Sequence, residues 1–160
     1  MSEAFYPDGG WSPLVEAAAR EVFEVMLGIK LDPFQDDPSL ITEMIAMVGL
    51  TGRVAGVVSF HCTAKAARHM AQVMLGAPAT PSDPEEADDT ARDAVGEICN
   101  MVAGTIKNRL GQVGDECKLS VPTIISGAEC TMQSNPGGTH VQMPFTYQGS
   151  PIAVALDLKA

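Results

Sequence analysis

No apolar run in this 160-residue chain approaches the roughly 20 residues a helix needs to span a bilayer. Met1–Gly10 has neither a basic stretch nor an apolar core of the secretory kind, so the cytoplasm is the expected compartment. Basic residues are scarce: ten Lys and Arg against twenty Asp and Glu give a net charge of -10. A field of that sign disfavours nucleic acid and anionic membrane as partners. Cysteine is sparse as well, and Cys62, Cys99, Cys117 and Cys130 form no C-x-x-C pair. With no secretion signal they read as reduced and mostly buried, not as disulfides or a zinc site. G-x-S-x-G, Walker A and G-x-G-x-x-G motifs are all missing.

What is present argues for a globular protein. Apolar residues make up 46% of the chain, and the mean hydropathy is +0.10. That length can bury a sizeable core, so residues 1–160 are expected to form a single domain. Residues 1–12, with Pro7 and Gly9-Gly10 and no periodicity, read as a loose leader.

Ser12-Pro13 reads as an N-cap and first helical residue. It opens a helix over Pro13–Leu27 with Leu14, Ala18, Val22 and Val25 on one stripe and Gly28 as its stop. Leu31–Ser39, with Pro33, Asp36-Asp37 and Pro38, reads as a loop. Leu40–Leu50, around Met44-Ile45-Ala46-Met47-Val48, reads as a strand buried on both faces. A turn at Thr51-Gly52 joins it to a second strand over Val54–His61. Thr63 caps a helix over Ala64–Leu75, closed by Gly76 and Pro78. Pro78–Asp89 is proline-rich and acidic, either a solvated start to the next helix or an acidic docking patch.

Pro84–Leu110 then reads as one long amphipathic helix, ended by Gly111 and Gly114. Three strands follow: Lys118–Ile125, an edge or bulged strand because it contains Pro122; Thr139–Tyr147; and Ile152–Leu158. Gln148-Gly149-Ser150 joins the last two, and Ala128–Gln133 is a candidate short strand before the Asn135-Pro136-Gly137-Gly138 turn. Hairpins dominate. The fold class is therefore α+β, a mainly antiparallel sheet of five or six strands packed with about three helices, the long helix carrying the site. Glu21–Met26 and Glu97–Val102 echo one another, through a helix-then-sheet duplication or by coincidence.

Most candidate chemistry has an ordinary structural explanation. His61, Cys62 and His69 match no metal-ligand spacing. Ser59 with His61 has no acidic partner in view, so it does not read as a hydrolase. Gly49, Gly52 and Gly56 suit a tight hairpin with close packing, and Met44, Met47, Met70, Met74, Met101 and Met143 suit core filling.

The long helix is different. At about 100° per residue, Ala91, Val95, Ile98, Val102 and Ile106 share one face, while Asp93, Glu97, Asn100 and Gly104 share the opposite one. A carboxylate–carboxylate–amide stripe therefore points outward, which a merely solvated helix face would also do. However, Asn is a poor helix-interior residue, and an interior Gly costs about 1 kcal/mol relative to Ala. Gly104, one turn beyond Asn100, leaves room for another surface to come close.

At these residues the sequence resembles the CheC/CheX/FliY family of chemotaxis phosphatases. The family pattern, Asp/Ser-x3-Glu-x2-Asn with a proline some twenty-two residues on, reads here as Asp93, Glu97, Asn100 and Pro122. The text Glu97-Ile98-Cys99-Asn100-Met101-Val102-Ala103-Gly104 and the closing strands also fit, so the resemblance covers most of the chain from Leu40 onward. The first helix offers Glu21-x2-Glu24 without the asparagine, which points to the single-motif, CheX-like branch and, by resemblance, to a homodimer.

The resemblance implies hydrolysis of the aspartyl phosphate on a CheY-type response regulator. Asn100 would orient the attacking water and Glu97 would pair with a lysine of the regulator. Asp93 would contact the partner or favour the helix's first turns. No cofactor or metal is expected on this chain, the regulator supplying its own Mg²⁺. The alternative is a non-catalytic regulator-binding or scaffolding module of the same fold.

Overall fold

The computed structural model describes residues 10–33, 42–78, 82–112, 116–127 and 137–159. The first helix, α1, spans Trp11–Leu27 and takes Gly10 as its N-cap, with no side-chain cap. Ser12 is therefore inside the helix and is not its cap. Trp11 explains the earlier start, since its indole is 1% exposed. Burying about 200 Å² of ring contributes about 5 kcal/mol, against about 1 kcal/mol for a serine cap. Pro13 is tolerated because first-turn amides have no intrahelical acceptor. Leu14, Ala18 and Val22 are buried as expected, but Val25 is 72% exposed. The buried sector is centred further round the helix, on Val15, Ala19 and Val22, and Val25 falls at its rim. Gly28, at φ 66, ends α1 as the pattern predicts.

Next comes β1 (Asp32–Pro33), a two-residue strand inside the predicted loop. It pairs with the edge of a later strand, where a proline without an N–H is tolerated. The expected hairpin is formed by β2 (Met44–Gly52) and β3 (Gly56–Cys62). The predicted turn at Thr51-Gly52 is the end of β2, and the chain reverses at 53–55. Gly52 and Gly56 are obligatory there: an added Cβ would lie 2.7 Å from the Glu116 carbonyl oxygen and 2.0 Å from that of Asp157, respectively.

The second helix, α2 (Ala64–Leu75), has the predicted bounds. Thr63 Oγ1 accepts from Ala66 N–H at 3.1 Å, and Glu43 Oε1 accepts from Ala64 N–H at 3.0 Å. The long helix, α3 (Pro84–Gln112), begins where Asp83 Oδ1 accepts from Glu85 N–H at 3.0 Å. Gly111 lies within its last turn, and Gly114 falls outside the described residues.

The predicted strand 118–125 is divided into β4 (Cys117–Leu119) and β5 (Thr123–Ser126). The closing hairpin is β6 (Thr139–Tyr147) and β7 (Ser150–Leu158). It turns through Gln148 and Gly149, both at positive φ (49 and 77), the left-handed pair that hairpin twist favours. The predicted strand over Ala128–Gln133 lies outside the described residues. All the strands join one sheet in the order β1-β6-β7-β3-β2-β4, with β5 sharing the β2 edge, and every pairing is antiparallel. Since β4 and β5 occupy one position, the sheet is six positions wide, as the sequence pattern predicts.

The helices cover one face of this sheet. Val95, Ile98, Val102 and Ile106 of α3 join Val48, Val58, Phe60, Val154 and Leu156 of the sheet in one buried cluster. The Phe23 ring of α1 stands 5.8 Å from Phe60 and 5.7 Å from Tyr147, centroid to centroid. Cys62 and Cys99 are free and buried and Cys117 is buried, while Cys130 lies outside the described residues. Burial pushes the Cys62 and Cys99 thiols up to about 12.

Candidate functional site

The predicted apolar face of α3 is buried throughout. Asp93 and Glu97 are exposed on the opposite face, and Asn100 and Gly104 are half-buried on the same line. Among the described residues, no hydrogen bond or ion pair engages the Asp93, Glu97 or Asn100 side chain. Nothing lies within 4 Å of a Cβ added at Gly104. A carboxylate and a carboxamide one turn apart are thus held on a rigid element with their polar groups uncommitted. The spacing also runs upstream: Thr90 and Glu86 continue the stripe towards the helix start.

Two walls flank the stripe. On one side α2 packs against α3, leaving a cleft of about 420 Å³ that includes Gln72, Leu75, Glu86 and Thr90. On the other side lies the junction between β4 and β5. Leu119 pairs with Leu50 and Thr123 with Met47, so Ser120, Val121 and Pro122 face only Val48 and Gly49. Three residues against two is a bulge. Ser120 pins it: Gly49 N–H donates to Ser120 Oγ at 2.8 Å, Ser120 N–H donates to the Gly49 carbonyl at 3.0 Å, and Ser120 Oγ–H donates to the Val121 carbonyl at 3.0 Å.

The bulge rests on α3 at Gly96. A Cβ there would lie 3.1 Å from Ile124 Cδ1 and 3.7 Å from Pro122 Cβ. Arg92, one turn upstream, donates from Nη2 to Ser126 Oγ of β5. The distant proline of the sequence pattern is therefore next to the helix residue that precedes Glu97. Asn100, one turn beyond Gly96, belongs to the bulge side of the stripe.

The other candidates are structural. Ser59 Oγ and His61 Nε2 are 2.8 Å apart, and Asp157 adds the acidic neighbour that the sequence did not suggest. Ser59 is fully buried, so no substrate reaches its hydroxyl. Burial holds His61 at about 4, with Asp157 opposing the shift and His140, itself bonded to Asp157 through Nδ1, adding to it. His69 Nδ1 meets the Tyr147 hydroxyl at 2.6 Å, and burial pushes that hydroxyl up to about 12. Among the described residues no group of His, Cys, Asp and Glu is arranged to hold a metal ion, and no helix is long and apolar enough to cross a membrane.

Residues 44–146, which contain the hairpin, α2, all of α3 and the bulge, match the family model described as chemotaxis phosphatase CheX. This chain belongs to the CheX family. It is 23% identical over 128 residues to the CheY-P phosphatase CheX of Thermotoga maritima, covering 76% of this chain and 80% of that protein. Chemotaxis protein CheX from Vibrio vulnificus has the same fold, with a TM-score of 0.80 at 24% identity over 99% of this chain and 100% of that one. So does the CheX–CheY–BeF3–Mg²⁺ complex from Borrelia burgdorferi, where the TM-score is 0.78 at 24% identity, covering 92% of this chain and 97% of that one.

Within this CheX-family fold, two features of the site escape a sequence reading. Gly96 carries no periodic signal, because its importance is a contact with residues more than twenty positions away. Ser120 looks like any polar strand residue until its hydroxyl is seen bridging two strands. Only Pro122, a proline where a strand was expected, marked the place.

Proposed function

We propose that this chain accelerates hydrolysis of the aspartyl phosphate on a CheY-type response regulator. In this reading the exposed face of α3 docks beside the phosphorylated pocket, and the Glu97 carboxylate pairs with a lysine ammonium of the regulator. The Asn100 carboxamide enters the pocket and holds a water in line with phosphorus. The water oxygen bonds to phosphorus as the aspartyl carboxylate leaves, giving inorganic phosphate and a restored aspartate. The regulator contributes its own Mg²⁺ and acidic pocket, so this chain needs no nucleophile or base. Phosphoryl transfer suits such a division, because positioning and electrostatics do most of the work.

The observation that carries the reading is the uncommitted Glu97–Asn100 pair, one turn apart on a helix whose other face is fully packed. Charge supports it as well. Glu85, Glu86, Asp88, Asp89, Asp93 and Glu97 are all exposed along α3. Such a face repels a bare phosphate ester, but it accepts a cationic side chain and a phosphoryl group already neutralised by another protein's cation. A neutral amide meets that group without adding repulsion.

We further propose a homodimeric assembly in the cytoplasm. β6 lies next to the short β1 at one end of the sheet order, and an edge of that kind offers a second copy a route for strand pairing. The buried, free thiols of Cys62 and Cys99 fit a reducing compartment.

The decisive test is phosphate release from purified phosphorylated regulators in Mg²⁺. Wild type should accelerate it. Asn100→Ala should reduce acceleration about a hundredfold or more while leaving the thermal midpoint unchanged. Glu97→Ala should weaken docking and rate together. Binding of the phospho-form without acceleration would instead favour the non-catalytic module, and neither binding nor acceleration with any regulator of the same cell would remove the proposal.

A further inference from the structure

The charge along the outward stripe of α3 changes sign at Asn100. Upstream, the charged residues exposed on that line are Glu86, Asp93 and Glu97. Downstream, the stripe continues at the same spacing through Gly104, Lys107 and Gly111, and Lys107 is exposed. Seven residues of helix place Lys107 within about 20° of Asn100 around the axis and about 10 Å beyond it.

Arg92, Lys107 and Arg109 are the cations of α3, and two of them are engaged. Arg92 donates to Ser126 Oγ of β5, and Arg109 pairs with Glu21 of α1 at 3.8 Å. Each ties the helix to a neighbouring element. Among the described residues, no hydrogen bond or ion pair engages Lys107. Its surroundings keep it accessible, since a Cβ added at Gly104 or at Gly111 would meet nothing within 4 Å. Long helical side chains lean back towards the N-terminus, so Lys107 has the open space over Gly104, on the Asn100 side, within reach.

The chemistry of the partner says what this cation meets. A pocket that holds Mg²⁺ beside a phosphoryl group is built with carboxylates. Glu86, Asp93 and Glu97 repel an acidic rim and attract the lysine side of the receiver. The rim is therefore left to the downstream half of the stripe, where Lys107 stands. The stripe reads carboxylate, amide, ammonium; the receiver reads ammonium, phosphoryl, carboxylate. Turning the receiver end for end sets like charges together at both Glu97 and Lys107, about 15 Å apart along the helix.

Resting on the function proposed above, we infer that Lys107 is a docking residue, its ammonium pairing with a carboxylate on the acidic rim of the receiver's phosphorylation pocket. Together, Glu97 and Lys107 fix the direction in which a receiver lies along α3. Lys107 thereby selects receivers that carry an anion at that position, while the chemistry stays with Asn100.

The test separates KM from kcat and adds salt. Steady-state dephosphorylation of a purified phospho-receiver is measured for wild type, Lys107→Ala, Lys107→Glu and Lys107→Arg, together with affinity for the same receiver loaded with BeF3⁻ and Mg²⁺. Lys107→Ala should raise KM and the dissociation constant about two- to fivefold, the loss expected from one exposed ion pair. Lys107→Glu should raise them about tenfold or more, because attraction becomes repulsion, and Lys107→Arg should restore them. In all three, kcat should stay within about twofold and the thermal midpoint within about a degree or two. The Lys107→Glu penalty should be full at about 0.05 M salt and nearly gone at about 1 M, where charges are screened beyond about 3 Å. Lys30→Glu, the same charge change beside β1 at the other end of the sheet, should leave KM unchanged.

If wild type accelerates hydrolysis and Lys107→Glu matches it in KM and affinity, this inference is overturned and the phosphatase reading stands. A penalty that high salt leaves intact, or that Lys30→Glu reproduces, would overturn it equally, since shape or net charge would then be the cause. So would a fall in kcat at constant KM, which places the residue in the chemistry. If wild type binds without accelerating, a weakened Lys107→Glu still supports the contact. If wild type neither binds nor accelerates, both proposals fail together.

Discussion

Glu97 and Asn100 differ in how far they stand out of the helix, and the difference suits what each is proposed to do. Glu97 is exposed, so its carboxylate can search for a partner's ammonium. Asn100 is half-buried, so its amide has fewer places to go, as the holding of a water in line requires. His61 shows the opposite strategy. It is buried beside Ser59 and held at about 4, against 6.5 in the open, mainly because burial disfavours its charged form. Its folded pKa lies below the unfolded one, so the unfolded state binds the proton more readily. Stability is therefore fully present above about pH 6.5 and is lost as pH falls towards 4, by at most about 3 kcal/mol. A thermal-midpoint series from pH 7.5 to 4.5 should fall for wild type, with a visibly shallower slope for His61→Gln. Equal slopes would rule out His61 as the titrating group.

At the level of elements, two glycines of α3 make opposite predictions. A Cβ at Gly104 meets nothing within 4 Å. Gly104→Ala should gain about 1 kcal/mol of helix propensity, raising the thermal midpoint by about 2–4 °C for a chain of this size. If a partner's surface comes close there, the same substitution should raise KM for the phospho-receiver several-fold. A raised midpoint with unchanged KM would show that Gly104 is outside the footprint. Gly96 has no such room, with Ile124 Cδ1 at 3.1 Å. Alanine there asks Ile124 to shift slightly and should be near neutral. Gly96→Leu should push the bulge off the helix, costing about 2 kcal/mol and about 5 °C, and should weaken docking with it. Measuring both properties in both variants separates the helix's own stability from what it presents.

For the whole molecule, the sheet decides what the helix can do. The core face of α3 is closed by β2, β3, α1 and α2, so its polar stripe has only one direction in which to point. The β6 end of the sheet is the proposed route to a dimer, and sedimentation at micromolar concentration should give twice the 16.8 kDa of one chain. A single-chain mass at that concentration would remove the dimer.

The limits of the sequence follow from range. Local periodicity determined α3 and its stripe, Thr63 and Gly76 determined the bounds of α2, and alternation determined the closing hairpin, because each signal is written within a turn or a strand. The same local logic misplaced the start of α1, where Trp11 had more to gain from the core than Ser12 had from capping. Pro122 marked an edge or bulged strand, but not that Ser120 would pin the bulge to Gly49. Tertiary structure alone decided that the bulge seats on Gly96 and that Asp157 comes near His61. Those relations join residues far apart in the chain, and packing sets them where no periodic pattern can record them.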